Sequence, residues 1–260
     1  MNHEEVGKFW NANAEAWTHL SRQGCDIYRD RVNTPVFLEM LPDISGATGL
    51  DIGCGEGHNT RLLSRRGAAM WGIDISTRFI GFAEEKEREE PHGIHYSVAC
   101  AASLPFPDHA FDFAAAFMSF MDMPDYERAL SEAYRVIKPG GFLQFSISHP
   151  CFFTPHMKWV LDEDGRRIAM ESARYFEGCE GEIEEWIFST ATSEQKKAYP
   201  AFRIPRFYRT LAEWCNLLLD VGFTLERFAE PRATDEALRD HPTLSDTHVI
   251  AYFLIVRCRK

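Results

Sequence analysis

The stretch from Gly49 to Ser76, GLDIGCGEGHNTRLLSRRGAAMWGIDIS, decides the fold of this chain. It begins as a short apolar strand that runs into three glycines at alternate positions (Gly53, Gly55 and Gly57). A helix follows and ends at Gly67, as helices commonly do at glycine. The next apolar run, Ala68–Ile75, predicts a second buried strand with Asp74 near its carboxyl end. A strand, a glycine turn, a helix and a strand with a terminal acid are typical of half a nucleotide-binding βαβ unit.

The rest of the chain continues this alternation of strands and helices. Ile94–Cys100, Phe111–Met118 and Phe142–Ile147 are apolar enough to be strands, and a helical pattern covers 125–137. The strand at 111–118 is nearly all apolar, which indicates a parallel sheet covered by helices on both faces. Two late apolar runs, 223–228 and 249–256, are expected to pair as an antiparallel hairpin. We therefore predict an α/β, Rossmann-like, doubly wound sheet of seven strands with an antiparallel last strand.

Two segments do not follow the alternation, and they set the expected domain organisation. Residues 1–45 look helical, with an apolar stripe that includes Trp10 and Trp17. This stripe is either a lid over the crevice or ordinary packing on the sheet edge. Residues 149–206 are rich in aromatics, acids and prolines and predict a cap inserted after the fifth strand. We expect one domain, 1–260, whose core is formed by 46–148 and 207–260.

Composition and charge limit the possible partners and compartments. The formal net charge of −11, with no basic stretch, disfavours nucleic acid as a partner. No apolar run approaches the roughly 20 residues that cross a bilayer, so we expect no membrane span. The seven cysteines include no CxxC pair, which argues against a metal site and favours a reducing, cytoplasmic setting. Whether the chain is a monomer or a homodimer is left open.

The glycine turn favours a cationic ligand over a dinucleotide. A dinucleotide fingerprint needs GxGxxG, whereas this turn is GxGxG and has His58 in the place of the third glycine. Asp51 lies two residues before the turn, where a carboxylate would repel a pyrophosphate but attract a cation. S-adenosylmethionine carries both a sulfonium and an ammonium group. Asp74 is placed to accept hydrogen bonds from ribose hydroxyls.

With these features the chain resembles the class I S-adenosylmethionine-dependent methyltransferases, specifically the small-molecule, type 11-like members. The matching motifs are LDIGCGEG at 50–57, GIDIS at 72–76, SLPFPDHAFDFAAAF at 103–117 and RVIKPGGFLQFSI at 135–147, with a late VGF at 221–223. One glycine turn alone would be weak evidence, but several motifs in the expected order are specific. The resemblance implies S-adenosylmethionine as the cofactor and methyl transfer to a small-molecule acceptor as the reaction.

The resemblance also implies roles for individual residues around the cofactor. The methionine part would meet Asp51 and the glycine turn on one side and the end of the fourth strand on the other. Asp74 would bind ribose, Ile75 would pack on adenine, and the backbone at Ala101 and Ala102 would approach the adenine ring. Many relatives have Asp where this chain has Cys100, a poor acceptor for the adenine amino group. The full set is Asp51, Gly53, Cys54, Gly55, Gly57, Asp74, Ile75, Cys100, Ala101, Ala102, Phe117, Met118 and Ser119.

For the acceptor side the sequence offers only candidates. His149 follows the fifth strand directly, so it is either a general base or a residue that fixes the start of the cap by hydrogen bonds. Acidic charge and aromatic content favour an apolar or aromatic acceptor in a closed pocket, and whether this acceptor is also cationic is left open. The alternatives are methylation of a tRNA or protein side chain, and a non-catalytic S-adenosylmethionine-binding protein. Expected substrate-contacting residues are Trp10, Trp17, Tyr28, Arg29, Tyr208 and Arg209.

Overall fold

The computed structural model describes residues 1–260, which form eleven strands and eight α-helices. The strands are β1 Thr48–Ile52, β2 Ala69–Asp74, β3 His95–Val98, β4 Phe111–Phe117, β5 Ile137–Ser148, β6 His156–Leu161, β7 Arg167–Ala173, β8 Cys179–Trp186, β9 Phe202–Tyr208, β10 Thr224–Ala229 and β11 Phe253–Arg259. The helices are α1 His3–Arg22, α2 Thr34–Met40, α3 His58–Ser64, α4 Thr77–Glu89, α5 Tyr126–Val136, α6 Ser193–Ala198, α7 Leu211–Val221 and α8 Asp235–Asp240. None of these helices is both long and apolar enough to cross a membrane.

Seven of the strands form one sheet in the order β10-β11-β5-β4-β1-β2-β3. The pairs β1–β2, β1–β4, β2–β3 and β4–β5 are parallel, and β11 lies antiparallel between β5 and β10. This confirms the predicted fold class, including the antiparallel last strand. The order reverses beside β1, so the crevice at the carboxyl ends of β1 and β4 is where ligands bind in such sheets.

The central strand β4 shows why helices cover both faces of the sheet. Its residues are nearly all buried, and successive side chains enter two different cores. Ala114 and Ala116 pack with α5 and α7, whereas Phe113 and Phe117 pack with α2 and α3. A strand buried on both faces needs no polar alternation, which is what the sequence shows.

The segment after β5 forms two antiparallel hairpins outside the main sheet. β6 pairs with β7, and β8 pairs with β9. A turn at 162–166 joins the first pair, where the Asp162 carboxylate accepts from the Asp164 and Arg166 amides. The expected boundary between 206 and 207 was wrong, because it falls inside β9, whose residues through Tyr208 pair with β8.

Helix α1 packs against α4 on one side and against β9 of the second hairpin on the other. A capping box between Asn2 and Glu5 starts the helix. The Asn11 side chain accepts from the Ser76 hydroxyl (2.9 Å), where α4 begins. On the other side, Asn13 donates to the Arg203 carbonyl (2.9 Å) and accepts from its amide (3.1 Å). The N-terminal helix thus bonds to both the β2–α4 junction and β9.

Candidate functional site

The glycine turn between β1 and α3 is held by backbone hydrogen bonds to β2. The Gly53 and Cys54 amides both donate to the Ile73 carbonyl, at 2.8 and 2.9 Å. Gly53 has φ +75°, and a Cβ there would lie 2.5 Å from the Ser119 Cβ. Only glycine fits at this position, because the loop after β4 passes directly over the turn.

Asp74 at the end of β2 faces this turn. Its Oδ2 accepts from the Gly55 amide (2.9 Å) and its Oδ1 from the Ser76 amide (2.8 Å). Burial raises the pKa of Asp74 to about 6, against the opposing effect of these backbone hydrogen bonds. A carboxylate has about four lone-pair sites, so both oxygens keep capacity for further donors.

Asp51, in β1, has one carboxylate oxygen with no partner. Its Oδ2 accepts from the Thr60 hydroxyl (2.6 Å), whereas the buried Oδ1 has no hydrogen bond. Burial raises the pKa of Asp51 to about 7, the Thr60 bond opposes this, and the nearby Asp74 charge adds to it. An unpaired buried carboxylate oxygen is costly unless a donor or cation meets it. Asp51 therefore suits a positively charged ligand.

A cavity of about 570 Å³ extends from the glycine turn to the cap hairpins. Its size lies within the range of small-molecule sites. The expected cofactor residues on its wall are Asp51, Gly53, Cys54, Gly55, Asp74, Ile75, Cys100, Ala101, Ala102, Phe117, Met118 and Ser119. Four of the six expected substrate residues, Trp10, Trp17, Tyr28 and Arg29, line it as well.

Gly57 lies behind this wall. It begins α3 with φ +81°, and a Cβ there would meet the Tyr96 hydroxyl at 2.4 Å. Gly57 does not line the cavity, and its contact with the cofactor stays a prediction.

His149 also lies outside the cavity wall, and both of its ring nitrogens are engaged. Nε2 donates to Glu230 Oε1 (2.9 Å), and Nδ1 accepts from the Cys151 amide (3.2 Å). Burial lowers the pKa of His149, although Glu230 opposes this. Of the two alternatives for His149, these contacts favour the one in which it fixes the start of the cap by hydrogen bonds over the general base.

Tyr208 and Arg209, at the end of β9, face away from the cavity. The Tyr208 hydroxyl donates to the Pro150 carbonyl (3.0 Å). The Arg209 guanidinium lies over the Tyr126 ring (4.7 Å) and pairs with Glu180 (2.9 Å). The structure does not bring these two residues to the cavity wall, because Tyr208 reaches Pro150 and Arg209 reaches Tyr126 of α5 and Glu180 of β8.

Apart from Tyr28, sequence reasoning missed a group of residues at the cap side of the cavity. Tyr28 and Tyr252 both donate a hydroxyl to Asp246 Oδ2, at 2.7 and 2.6 Å. Arg167, from β7, pairs with the same oxygen and lies over the Trp159 ring (4.8 Å). The first hairpin is thereby tied to the core across the cavity. Tyr28 lies 218 positions and Arg167 lies 79 positions from Asp246, so no local pattern in the sequence brings this group together.

Sequence reasoning also missed Asp122, just after β4. It is buried, lines the cavity, and lies 3.6 Å from Arg206 Nη1 of β9. The only signal was a carboxylate within the apolar run FMSFMDM.

Comparison with known proteins agrees with this geometry. A family model described as a methyltransferase domain matches residues 50–145. A demethylmenaquinone methyltransferase of Tropheryma whipplei (strain Twist) is 33% identical over 188 residues, which are 70% of this chain and 77% of that protein. A fatty-acid O-methyltransferase of Mycolicibacterium smegmatis is 29% identical over 141 residues, about half of each protein.

Among solved structures, an S-adenosylmethionine-dependent methyltransferase from Mesorhizobium loti is similar with a TM-score of 0.71 and 26% identity. The match covers 87% of this chain and 96% of that one. The four sequence motifs, the sheet order, the glycine turn and these relatives agree with one another. The chain belongs to the class I S-adenosylmethionine-dependent methyltransferases and is an enzyme of their small-molecule type.

Proposed function

We propose that the chain methylates a small apolar or aromatic acceptor that binds in the cavity beneath the cap hairpins. The carrying observation is the unpartnered Oδ1 of Asp51 on the wall of a 570 Å³ cavity. The glycine turn forms one end of this cavity, and Asp51 provides a buried negative charge there for a positively charged methyl donor.

The residues present fit S-adenosylmethionine. Asp51 would face its positive charge, and Asp74, whose oxygens keep acceptor capacity, would bind the ribose hydroxyls. Ile75 and the 100–102 loop would enclose the adenine, with Cys100 contributing packing in place of a carboxylate. Phe117, Met118 and Ser119 would close the methionine side.

Aromatic side chains from both lid and cap support an apolar acceptor. Trp10 and Trp17 of α1 line the cavity together with Trp186 of β8. Trp159 and Tyr252 form a further part of the wall, where their rings stack with centroids 6.1 Å apart. Such faces bind flat apolar groups and cations.

When bound, S-adenosylmethionine supplies a methyl group on a sulfonium, which leaves as a neutral thioether. The protein then chiefly has to align the acceptor with the methyl group and exclude water. The hairpins and α1 meet both needs, because they cover the cavity and place its aromatic walls.

Calorimetry with S-adenosylmethionine, S-adenosylhomocysteine and NAD tests the cofactor site. We expect the first two to bind and NAD to give no heat. Asp51→Asn should weaken S-adenosylmethionine binding by about tenfold or more, because a charge-assisted contact contributes about 1.5–3 kcal/mol. The matched control Asp220→Asn removes an exposed carboxylate on α7 and should change nothing.

Binding of NAD in preference to S-adenosylmethionine, or an Asp51→Asn variant with unchanged affinity, would contradict the proposed site. Release of S-adenosylhomocysteine across a metabolite library then identifies the acceptor. Turnover of tRNA or protein substrates but of no small molecule would contradict the proposed acceptor class.

A further inference from the structure

A second carboxylate on the cavity wall, Asp122, lacks a hydrogen-bond partner. It ends the 3₁₀ helix Phe120–Asp122 that follows β4, and it is 6% exposed. Its Oδ1 is buried and accepts no hydrogen bond. A buried carboxylate of this kind is destabilising unless it is protonated or meets a donor. Asp122 also lines the cavity, where a bound ligand can supply that donor.

Residues from the cap set the charge around Asp122. Arg206 Nη1 lies 3.6 Å from Asp122 Oδ1, beyond hydrogen-bond distance, while Arg206 Nε pairs with Glu184 Oε2 at 3.0 Å. Arg206 is therefore already compensated by Glu184. Asp125 and His3, which approach each other at 4.0 Å, are the other titratable groups on the wall next to this helix. Burial raises the pKa of Asp122 to about 7, Arg206 lowers it, and Glu184 raises it further.

The cavity as a whole is negative. Seven carboxylates line it against three arginines and no lysine, and of these Glu56 pairs with Arg61 and Arg167 pairs with Asp246, two residues outside the lining. One of them, Asp51, is matched to the charge of the methyl donor under the proposed function. The remaining excess of negative charge attracts a second cation and repels an anionic acceptor.

We propose that Asp122 binds the methyl acceptor and that this acceptor is an amine, held through its ammonium group at the Asp122 carboxylate. The aromatic walls receive the rest of the molecule, so the ligand class is an arylalkylamine or a similar apolar amine. This inference rests on the proposed function and narrows its acceptor.

The same contact gives Asp122 a chemical role. An ammonium has no lone pair, so it first passes one proton to the Asp122 carboxylate, which becomes a neutral carboxylic acid. The freed lone pair forms the new N–C bond as the S–C bond breaks, and the electron pair of that bond stays on sulfur. The product is a methylated ammonium, and Asp122 returns its proton to solvent.

Equilibrium binding tests the proposal without requiring turnover. The probes are 2-phenylethylamine and its neutral isostere 2-phenylethanol, added to the full chain saturated with S-adenosylhomocysteine. Quenching of tryptophan fluorescence reports binding, since Trp10, Trp17, Trp159 and Trp186 line the cavity. At pH 8 we expect the amine to bind about tenfold more tightly than the alcohol.

We also expect the affinity for the amine to depend on pH. With a pKa of about 7, Asp122 is mostly ionised at pH 8 and mostly protonated at pH 6. Affinity for the amine should therefore fall about tenfold from pH 8 to pH 6, while affinity for the alcohol should change little.

Two variants separate this proposal from the one on which it rests. Asp122→Asn should still bind S-adenosylhomocysteine, but it should lose both the preference for the amine and its pH dependence. Asp220→Asn should behave as the unaltered protein.

Failure of the unaltered protein to bind S-adenosylhomocysteine would overturn the proposed function and this inference with it. Normal S-adenosylhomocysteine binding with no preference for the amine would overturn the inference alone. An Asp122→Asn variant that keeps the preference would do the same.

Discussion

At the scale of single residues, the glycine turn contains two glycines with similar backbones and different surroundings. Gly53 and Gly55 both have positive φ, +75° and +56°. A Cβ on Gly53 would meet the Ser119 Cβ at 2.5 Å, whereas nothing lies within 4 Å of a Cβ on Gly55. The Ser119 hydroxyl also donates to the Ile52 carbonyl at 2.6 Å, so Ser119 is poorly placed to move aside.

We therefore predict that Gly53→Ala destabilises the chain much more than Gly55→Ala. Both variants incur the left-handed backbone cost of about 1–2 kcal/mol, and only Gly53→Ala adds a steric overlap. Each kcal/mol corresponds to about 2–4 °C in Tm for a chain of this size. Thermal unfolding of the two variants checks this, and equal losses in Tm would contradict it. Gly55→Ala should instead act on S-adenosylhomocysteine binding, because its Cβ would project where the cavity lies.

The same scale shows which site residues the sequence can identify. Asp51 and Asp74 were identifiable because their roles follow from a local strand–turn–helix–strand pattern. His149 and Tyr208 were not, since their hydrogen bonds to Glu230 and Pro150 join residues 58 to 81 positions apart. Asp122 was missed for the same reason, as only its proximity to β9 distinguishes it.

At the scale of elements, α1 connects the cap to the core. Trp17 contacts the rings of Trp186, Phe188 and Phe202, with centroids 5.5, 5.1 and 4.8 Å away. These rings come from β8, β9 and the segment between them, so α1 holds the second hairpin. Trp17 therefore fits both alternatives for the N-terminal stripe, because it packs against the cap and also lines the cavity.

Replacing Trp17 with alanine should loosen the cap and leave the main sheet intact. Loss of a buried tryptophan costs about 3–5 kcal/mol, and Trp17 is partly exposed, so we expect about 2–3 kcal/mol. Hydrogen exchange should accelerate across 179–208 and stay slow in β1, β4 and β5. The control Leu219→Ala removes a side chain that is 51% exposed on α7 and should leave exchange unchanged. Uniform acceleration across sheet and cap would show that α1 supports the whole domain instead.

Elements also differ in how far their sequence predicts them. The parallel strands and their helices have distinct apolar patterns, because each is buried in a regular way. The hairpins β6–β7 and β8–β9 lack such a pattern, since both faces are partly exposed and their partners come from α1 and the core. Their existence depends on contacts that sequence periodicity does not encode.

At the scale of the whole molecule, the site contains three buried carboxylates, Asp51, Asp74 and Asp122, that destabilise the folded chain when they are ionised. Burial raises the pKa of Asp51 and Asp122 to about 7 and that of Asp74 to about 6. Because these values exceed that of an unfolded aspartate, the folded chain binds more protons than the unfolded chain between about pH 4 and pH 7. Their contribution to stability is present at low pH and is lost as the pH rises through the folded pKa values. The ligand-free enzyme is therefore strained by its own site at alkaline pH.

This strain predicts a pH-dependent difference between the unaltered chain and Asp51→Asn without ligand. The variant cannot ionise at this position, so from pH 6 to pH 8 its free energy of unfolding should rise relative to the unaltered chain by about 1 kcal/mol. Thermal melts at both pH values check this, and titrating histidines such as His58 and His149 affect both proteins alike. The free energy of unfolding of the control Asp220→Asn should change with pH as that of the unaltered chain does. With saturating S-adenosylmethionine at pH 8, the unaltered chain should be the more stable of the two, because the ligand supplies a positive charge opposite the ionised Asp51. If the free energies of unfolding of Asp51→Asn and of the unaltered chain changed equally between pH 6 and pH 8, the pKa of Asp51 would not be raised. The proposal that Asp51 binds a cation would then lose its support.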